Sequence, residues 1–210
     1  LEEHAAQLEA VAASVRVCTR CALHQGRTRA VPGSGPANAE IMLIGEGPGF
    51  HEDRQGLPFV GAAGQFLDEL LGQIGIRRAD VFITNVVKCR PPQNRDPLPD
   101  EVGACGAYLE RQIEVIQPRV VITLGRHSMA RWFPDARISA IHGRPKAFGN
   151  LLVVPMYHPA AALHKPELRQ QIEADFRRLP ELLEQHRRAR PASTEDEPPG
   201  AASGRQLALF

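Results

Sequence analysis

Four short apolar runs punctuate the chain: E-I-M-L-I at 40–44, V-F-I-T-N at 81–85, V-V-I-T-L at 120–124 and L-L-V-V-P at 151–155. Each is too short for a helix and stops at a glycine, a proline or a polar residue, as a strand buried on both faces does. Between the runs, apolar residues recur at helical spacing. Ala5, Leu8, Val11, Ala12 and Val15 predict a helix over 2–17, and Phe66, Leu67, Leu70, Leu71 and Ile74 predict another over 61–76. Pro99-Asp100-Glu101 suits the first turn of a helix reaching about residue 117. A short helix is expected over 126–132 and a last one over 167–186. Strands alternating with helices predict an α/β fold, a three-layer α/β/α sandwich around a central, mainly parallel four-stranded sheet. Ligands of such sheets sit in the crevice at the carboxyl ends of the strands.

The segments that follow the strands are unusual. The first strand breaks into G-E-G-P-G at 45–49, and a second apolar knot, L-P-F-V at 57–60, precedes the next helix. Gly and Pro at this density neither continue a strand nor start a helix, so the whole stretch reads as a long loop. The second strand leads into a basic, proline-rich loop over 86–100, and residues 137–150 form a polar connection. The fourth strand runs into M-Y-H-P-A-A-A-L-H-K-P at 156–166. From residue 187 the helical periodicity is lost. Residues 187–205 read as a disordered linker rich in Pro, Ala and Ser, after a folded domain over 1–186. The chain nevertheless ends on the apolar peptide Q-L-A-L-F.

With 210 residues and 43% hydrophobic content, the chain can bury one sizeable core and leave sequence over. No apolar run approaches the ~18 residues of a membrane span, and no secretory signal is visible, so a cytoplasmic protein without membrane contact is expected. The chain begins at Leu1 rather than Met, and residues upstream are expected to have been removed. A net charge of +1 announces no polyanion partner, so any nucleic-acid contact must come from local clusters of charge. The only cysteines are Cys18, Cys21, Cys89 and Cys105. Without an export signal disulfides are a poor use for them. A C-x2-C pair lets two sulfurs bind one centre from a single turn, which favours a four-thiolate metal site. Spacing alone does not choose between zinc and an iron–sulfur cluster.

The strand ends collect a distinct chemistry. The first offers Glu46 and, further along its loop, Phe59; the second offers Asn85; the fourth offers His158. An aromatic face stacks a planar ring, and an asparagine amide reads a donor–acceptor edge. A histidine stabilises charge developing on a leaving group, and a carboxylate orients water or offsets a cation. Each residue alone has an ordinary structural reading as cap, core or loop. Together at one edge of a sheet they suit hydrolysis of a bond to a heterocyclic base.

At these residues the sequence resembles the family 4 uracil-DNA glycosylases, the iron–sulfur branch of the uracil-DNA glycosylase superfamily. The motifs are G-E-G-P-G at 45–49, P-F-V-G at 58–61, T-N-V-V-K-C-R-P-P at 84–92 and Y-H-P-A-A at 157–161, together with the spacing of the four cysteines. The resemblance implies that Gly45, Glu46 and Gly47 line a uracil pocket, that Phe59 stacks on the base, that Asn85 reads its edge and that His158 faces its O2 oxygen. Glu46, Asn85 and His158 would then be the catalytic set, with Glu52 and Asp53 as competing carboxylates. It implies further that Cys18, Cys21, Cys89 and Cys105 hold one structural [4Fe-4S] cluster. The expected activity is a monofunctional glycosylase that extrudes deoxyuridine from single- or double-stranded DNA and cleaves its N-glycosidic bond, initiating base-excision repair. A monomeric bacterial enzyme associated with the nucleoid is expected. Ala162 stands where a wedge leucine is expected, which leaves Leu163 to fill the vacated stack.

Lys88, Arg90, Arg95, Arg144, Lys146 and Lys165, all on predicted loops, are the candidates for phosphate contacts. The terminal Gln206, Leu207, Leu209 and Phe210 look like the peptide by which bacterial repair proteins dock on the sliding clamp, and a flexible tether would let it search. Two other readings stand beside the glycosylase. One is a non-catalytic cysteine–zinc module that binds nucleic acid. The other is an enzyme of the same superfamily with broader base specificity.

Overall fold

Strands apolar on both faces require cover on both sides. The computed structural model, which describes residues 2–189, supplies it. In chain order the elements are α1 (Glu2–Arg16), α2 (Leu23–Gly26), β1 (Ile41–Gly45), α3 (Phe50–Gln55), α4 (Ala62–Gln73), β2 (Val81–Asn85) and α5 (Pro99–Ile116). They continue with β3 (Val120–Leu124), α6 (Arg126–Met129), α7 (Ile138–Ile141), β4 (Lys146–Phe148), β5 (Leu151–Met156), α8 (Ala160–His164) and α9 (Glu167–Ala189). The sheet runs β2-β1-β3-β5-β4, parallel throughout except for the antiparallel edge strand β4. Successive residues of a strand point to opposite faces. Accordingly Ile41, Leu43, Ile122 and Val154 pack with Leu67, Leu70, Phe176 and Leu179 of α4 and α9, while Met42, Ile44, Val121 and Val153 pack with Val11, Val15, Leu109 and Ile116 of α1 and α5.

From β1 the chain moves outward to β2, then crosses back to β3 on the other side of β1. The loops after β1 and β3 therefore diverge, which opens a crevice at the carboxyl end of the sheet. The parallel α/β sandwich expected from the apolar runs is present, with a fifth strand that no run announces. Strand β4 has three residues, Lys146 and Ala147 are exposed, and a strand so short on the edge carries no buried stripe to recognise. Helix α3 also occupies part of the stretch read as loop. Its signal is Glu52, three residues after Gly49, whose carboxylate reaches back to the Gly49 N–H as in a capping box. The last helix runs past residue 186: Arg187 lies within α9 and forks Glu40 at 3.0 and 2.7 Å. The rest of the expected linker, and the terminal residues Gln206, Leu207, Leu209 and Phe210, lie outside the described residues. Among the described residues, no helix is long and apolar enough to cross a membrane.

Candidate active site and cysteine pocket

The crevice is a cleft of about 560 Å³ lined by Glu46, Gly47, Phe59, Asn85, His158 and Leu163, among others. Four separate segments deliver these side chains: the loop after β1, the end of β2, the P-F-V-G knot, and α8 with the two residues that precede it. Gly45 closes β1 beneath them. A Cβ there would lie 2.4 Å from Asn85 Oδ1 and 2.7 Å from the Phe59 ring, so only glycine lets the amide and the ring rest against the strand end.

Phe59 has φ of +50°, a left-handed conformation that costs a non-glycine residue roughly 1–3 kcal/mol. Its neighbours hold it there. The Val60 and Gly61 N–H groups both donate to Glu52 Oε1 at 2.8 Å, and Gly49 N–H donates to Glu52 Oε2 at 3.1 Å. Arg78 Nη2 donates to the Pro58 carbonyl at 2.5 Å. Helix α4 can start so close behind only because residue 64 is glycine; a Cβ there would stand 1.9 Å from the Phe59 carbonyl oxygen. One carboxylate thus staples the aromatic knot to the helix before it. Asp53 is likewise occupied, accepting the Thr28 N–H at 2.9 and 3.1 Å.

Glu46 is the carboxylate without such a partner. Its Oε2 lies 3.7 Å from His127 Nε2, which is 3.4 Å from Asp96 Oδ1, and Arg126 lies against the other oxygen of Asp96. Burial, and to a lesser degree Asp96, raises the Glu46 pKa, while His127 and Arg126 oppose the rise. His127 sits on α6 after β3, a strand end in which the sequence singled out no residue. The motif there, G-R-H, differs little from any glycine followed by a charged helix start.

Asn85 is 1% exposed, and its Oδ1 has no hydrogen-bond partner. A buried amide oxygen without a partner is costly and rare. His158 accepts the Ala160 N–H on Nδ1 at 3.1 Å, which leaves the neutral ring its proton on Nε2. Burial lowers the His158 pKa to about 4, so at neutral pH the ring is an uncharged donor. The Phe59 and His158 rings have centroids 5.5 Å apart and planes inclined by 26°. A planar base between two rings needs roughly 7 Å, twice the usual carbon–carbon contact, so the pair forms a wall rather than a slot.

Of the six cations expected near phosphates, Lys88 is corrected outright. It is 1% exposed, and its ammonium donates to Thr84 Oγ1 at 2.5 Å, to the Asn85 carbonyl at 2.7 Å and to Gln112 Oε1 at 2.7 Å. Gln112 and Thr84 pass the chain on to the Pro32 carbonyl. Burial takes the Lys88 pKa down to about 7. Arg95 lines the cleft but forks the buried Glu101 at 2.7 and 2.9 Å, so its charge is already matched. Arg90 is half-buried, with Nε held by Asn94 Oδ1 at 2.7 Å. Arg144, Lys146 and Lys165 are exposed and lie outside the cleft lining. Leu163 projects from α8 at 48% exposure, whereas Ala162 is buried.

On the α1–α5 face, Cys18, Cys21, Cys89 and Cys105 line one small pocket with Arg27, Lys88 and Tyr108, Cys89 and Cys105 buried and Cys18 and Cys21 half-buried. N–H groups face the sulfurs: Arg27 Nη1 donates to Cys89 Sγ at 3.2 Å and Lys88 N to Cys105 Sγ at 3.3 Å. Arg27 also ties the carbonyls of Cys18 and Arg16. Burial raises the thiol pKa of Cys89, and that of Cys105 to about 11. A positively charged centre would be needed to ionise them. Four sulfurs gathered on one pocket, with donors aimed at them, fit a thiolate-bound metal centre.

The family model described as the uracil DNA glycosylase superfamily matches residues 32–179. The chain is 48% identical over 185 residues to a type-4 uracil-DNA glycosylase of Sulfurisphaera tokodaii, covering 83% of this chain and 84% of the relative. It is 50% identical over 186 residues to one of Saccharolobus solfataricus, covering 84% and 86%. A third, from Thermotoga maritima, is 43% identical over 182 residues, covering 84% and 94%.

Proposed function

The chain belongs to the type-4 uracil-DNA glycosylases of the uracil DNA glycosylase superfamily, and from that premise we propose how its cleft hydrolyses the N-glycosidic bond of deoxyuridine in DNA. The observation that carries the proposal is the unpartnered, buried Asn85 amide on the same cleft as Phe59, His158 and Glu46. An extruded uracil lies against Phe59 with its edge on Asn85, and the stacking and hydrogen bonds offset the few kcal/mol of unstacking. Cleavage leaves negative charge on uracil and positive charge on the sugar. The Nε2–H of neutral His158 donates to O2, a bond that strengthens as the anion forms and so binds the transition state better than the substrate. Glu46 orients water or offsets the cationic sugar. Glu52 and Asp53 suit that role less well, because backbone N–H groups already engage both oxygens of each.

Cys18, Cys21, Cys89 and Cys105 would hold a [4Fe-4S] cluster with a structural role, supporting the loop that leads from Asn85 through Lys88. The spacing of the sulfurs favours the cluster over zinc. Zinc bonds of about 2.3 Å would draw four sulfurs to roughly 3.8 Å of one another. Among the described residues, the ligating atoms found within 4.8 Å of one another in a group of three are those of Glu46, Asp96 and His127, not the sulfurs. Colour separates the two: a brown protein supports the cluster, and a colourless zinc protein overturns it. The protein is further proposed to be a monomer whose terminal peptide docks on a sliding clamp. Truncation before Gln206 should abolish clamp binding while sparing excision from short oligonucleotides. The central test is uracil release from oligonucleotides with uracil opposite A, opposite G or unpaired. No release from any of them would overturn the assignment.

A further inference from the structure

Five large apolar side chains are strongly exposed among the described residues: Val17, Phe50, Leu57, Leu98 and Leu163. Only Phe50 and Leu163 line the cleft. Phe50 opens α3 and is 46% exposed. The guanidinium of Arg90 lies 5.2 Å from its ring centroid, that of Arg54 lies 5.6 Å away, and the His51 ring meets it edge-on at 5.4 Å. Arg90 is fixed in turn by Asn94, another residue of the cleft lining. Among the described residues neither Arg54 nor Arg90 pairs with a carboxylate, in contrast to Arg95 and Arg126 at the same mouth.

The rim therefore carries a half-exposed aromatic ring beside two planar cations that no carboxylate of the described residues neutralises. Phe50 belongs to neither core cluster, so core packing does not account for an aromatic side chain at this position. The combination matches a nucleotide: a planar base for the ring and a phosphate for the guanidinia. It also adjoins the cleft that takes the extruded base, so the nucleotide it meets belongs to the same strand. We infer that Phe50, with Arg54 and Arg90, forms a second stacking platform on the cleft rim, which binds the base next to the extruded uridine in single-stranded or locally opened DNA. This rests on the reading of the cleft as the uracil site. Stacking of this kind tolerates any sequence, because every base presents a π-face.

The test uses the full-length protein and single-stranded oligonucleotides with a tetrahydrofuran abasic site flanked by 2-aminopurine. Binding is followed by anisotropy and by quenching of the aminopurine. Phe50→Ala should weaken binding on the order of 10-fold and abolish the quenching, while Phe50→Trp retains both. With both flanking bases replaced by abasic spacers, the wild type and Phe50→Ala should bind alike. Equal affinity and quenching in the wild type and Phe50→Ala, or an equal loss on the spacer oligonucleotide, would overturn the platform. Should Phe50→Ala fold poorly, the Arg54→Gln/Arg90→Gln double substitution leaves the ring in place and should still weaken binding and reduce its salt dependence; unchanged binding and salt dependence would count equally against it. Loss of uracil release by the wild type on every substrate would instead fault the cleft reading itself.

Discussion

Asn85 ends β2 and Lys88 follows three residues later, both 1% exposed, and they illustrate two uses of buried polarity. All three ammonium protons of Lys88 have acceptors, and those acceptors are tied onward to Pro32. Asn85 Oδ1 has none. A satisfied buried charge is structure: it cross-links the end of β2 to α5 and to the connection before β1. An unsatisfied buried amide on a cleft lining keeps the capacity for one more hydrogen bond, which is the use proposed for Asn85. Exposure alone does not separate the two; the count of partners does.

The contrast predicts different failures. The largest effect is expected at the open side. Asn85→Ala and His158→Ala should each slow single-turnover uracil release on the order of 100-fold, with little change in thermal stability. Near wild-type rates in both would remove the mechanism. On the closed side, Lys88→Met strands the Asn85 carbonyl without a donor and leaves Gln112 Oε1 only the Thr84 hydroxyl at 3.2 Å, and should lower stability by about 2 kcal/mol in urea unfolding. Stability equal to the wild type would mean that the network is idle.

Acid should sharpen the comparison next. Glu46 has a raised pKa, so on acidification it protonates above the usual carboxylate range, before His158 does near pH 4. The first fall in rate on acidification therefore belongs to Glu46, in a field set by His127, Asp96 and Arg126. Glu46→Gln should run slower but flat to about pH 4, and a persisting higher limb would contradict this. The sign for stability is opposite. A carboxyl whose folded pKa is raised stabilises the fold below its unfolded pKa and loses that contribution as pH rises through the folded value. At pH 7 Glu46→Gln should thus melt slightly higher than the wild type, the usual trade between activity and stability. Smallest is the salt effect. Arg90→Ala should reduce the slope of log affinity against log salt by about 0.7–0.9, the share of one phosphate contact, and Arg95→Ala by less because Glu101 already matches that charge.

What could be read from the chain follows the same division. Buried parallel strands are apolar on both faces, so four of the five strands stand out as runs, and their ends locate Glu46, Asn85 and His158. The fold and family expected from them are borne out. Lys88 was misread because a lysine in a proline-rich loop is exposed by default. Its burial depends on Gln112 and Pro32, which are remote in sequence and adjacent only once α5 packs on the sheet. Phe50 and His127 escaped for a related reason. One begins a helix hidden among glycines, and the other follows a strand whose end resembles any other. The choice among Glu46, Glu52 and Asp53 was undecidable from order along the chain; the backbone N–H groups on Glu52 and Asp53 are what favours Glu46 in the proposal.

The Glu52 staple has a cost that falls after the reaction. Because three amides are gathered on one carboxylate by the chain itself, the Phe59 ring proposed to stack on the base is set in place before any base arrives. A receptor finished beforehand does not distinguish a base still joined to its sugar from one already cut loose. The liberated product should accordingly linger as a competitor, and its departure, rather than bond cleavage, would then pace repeated turnover.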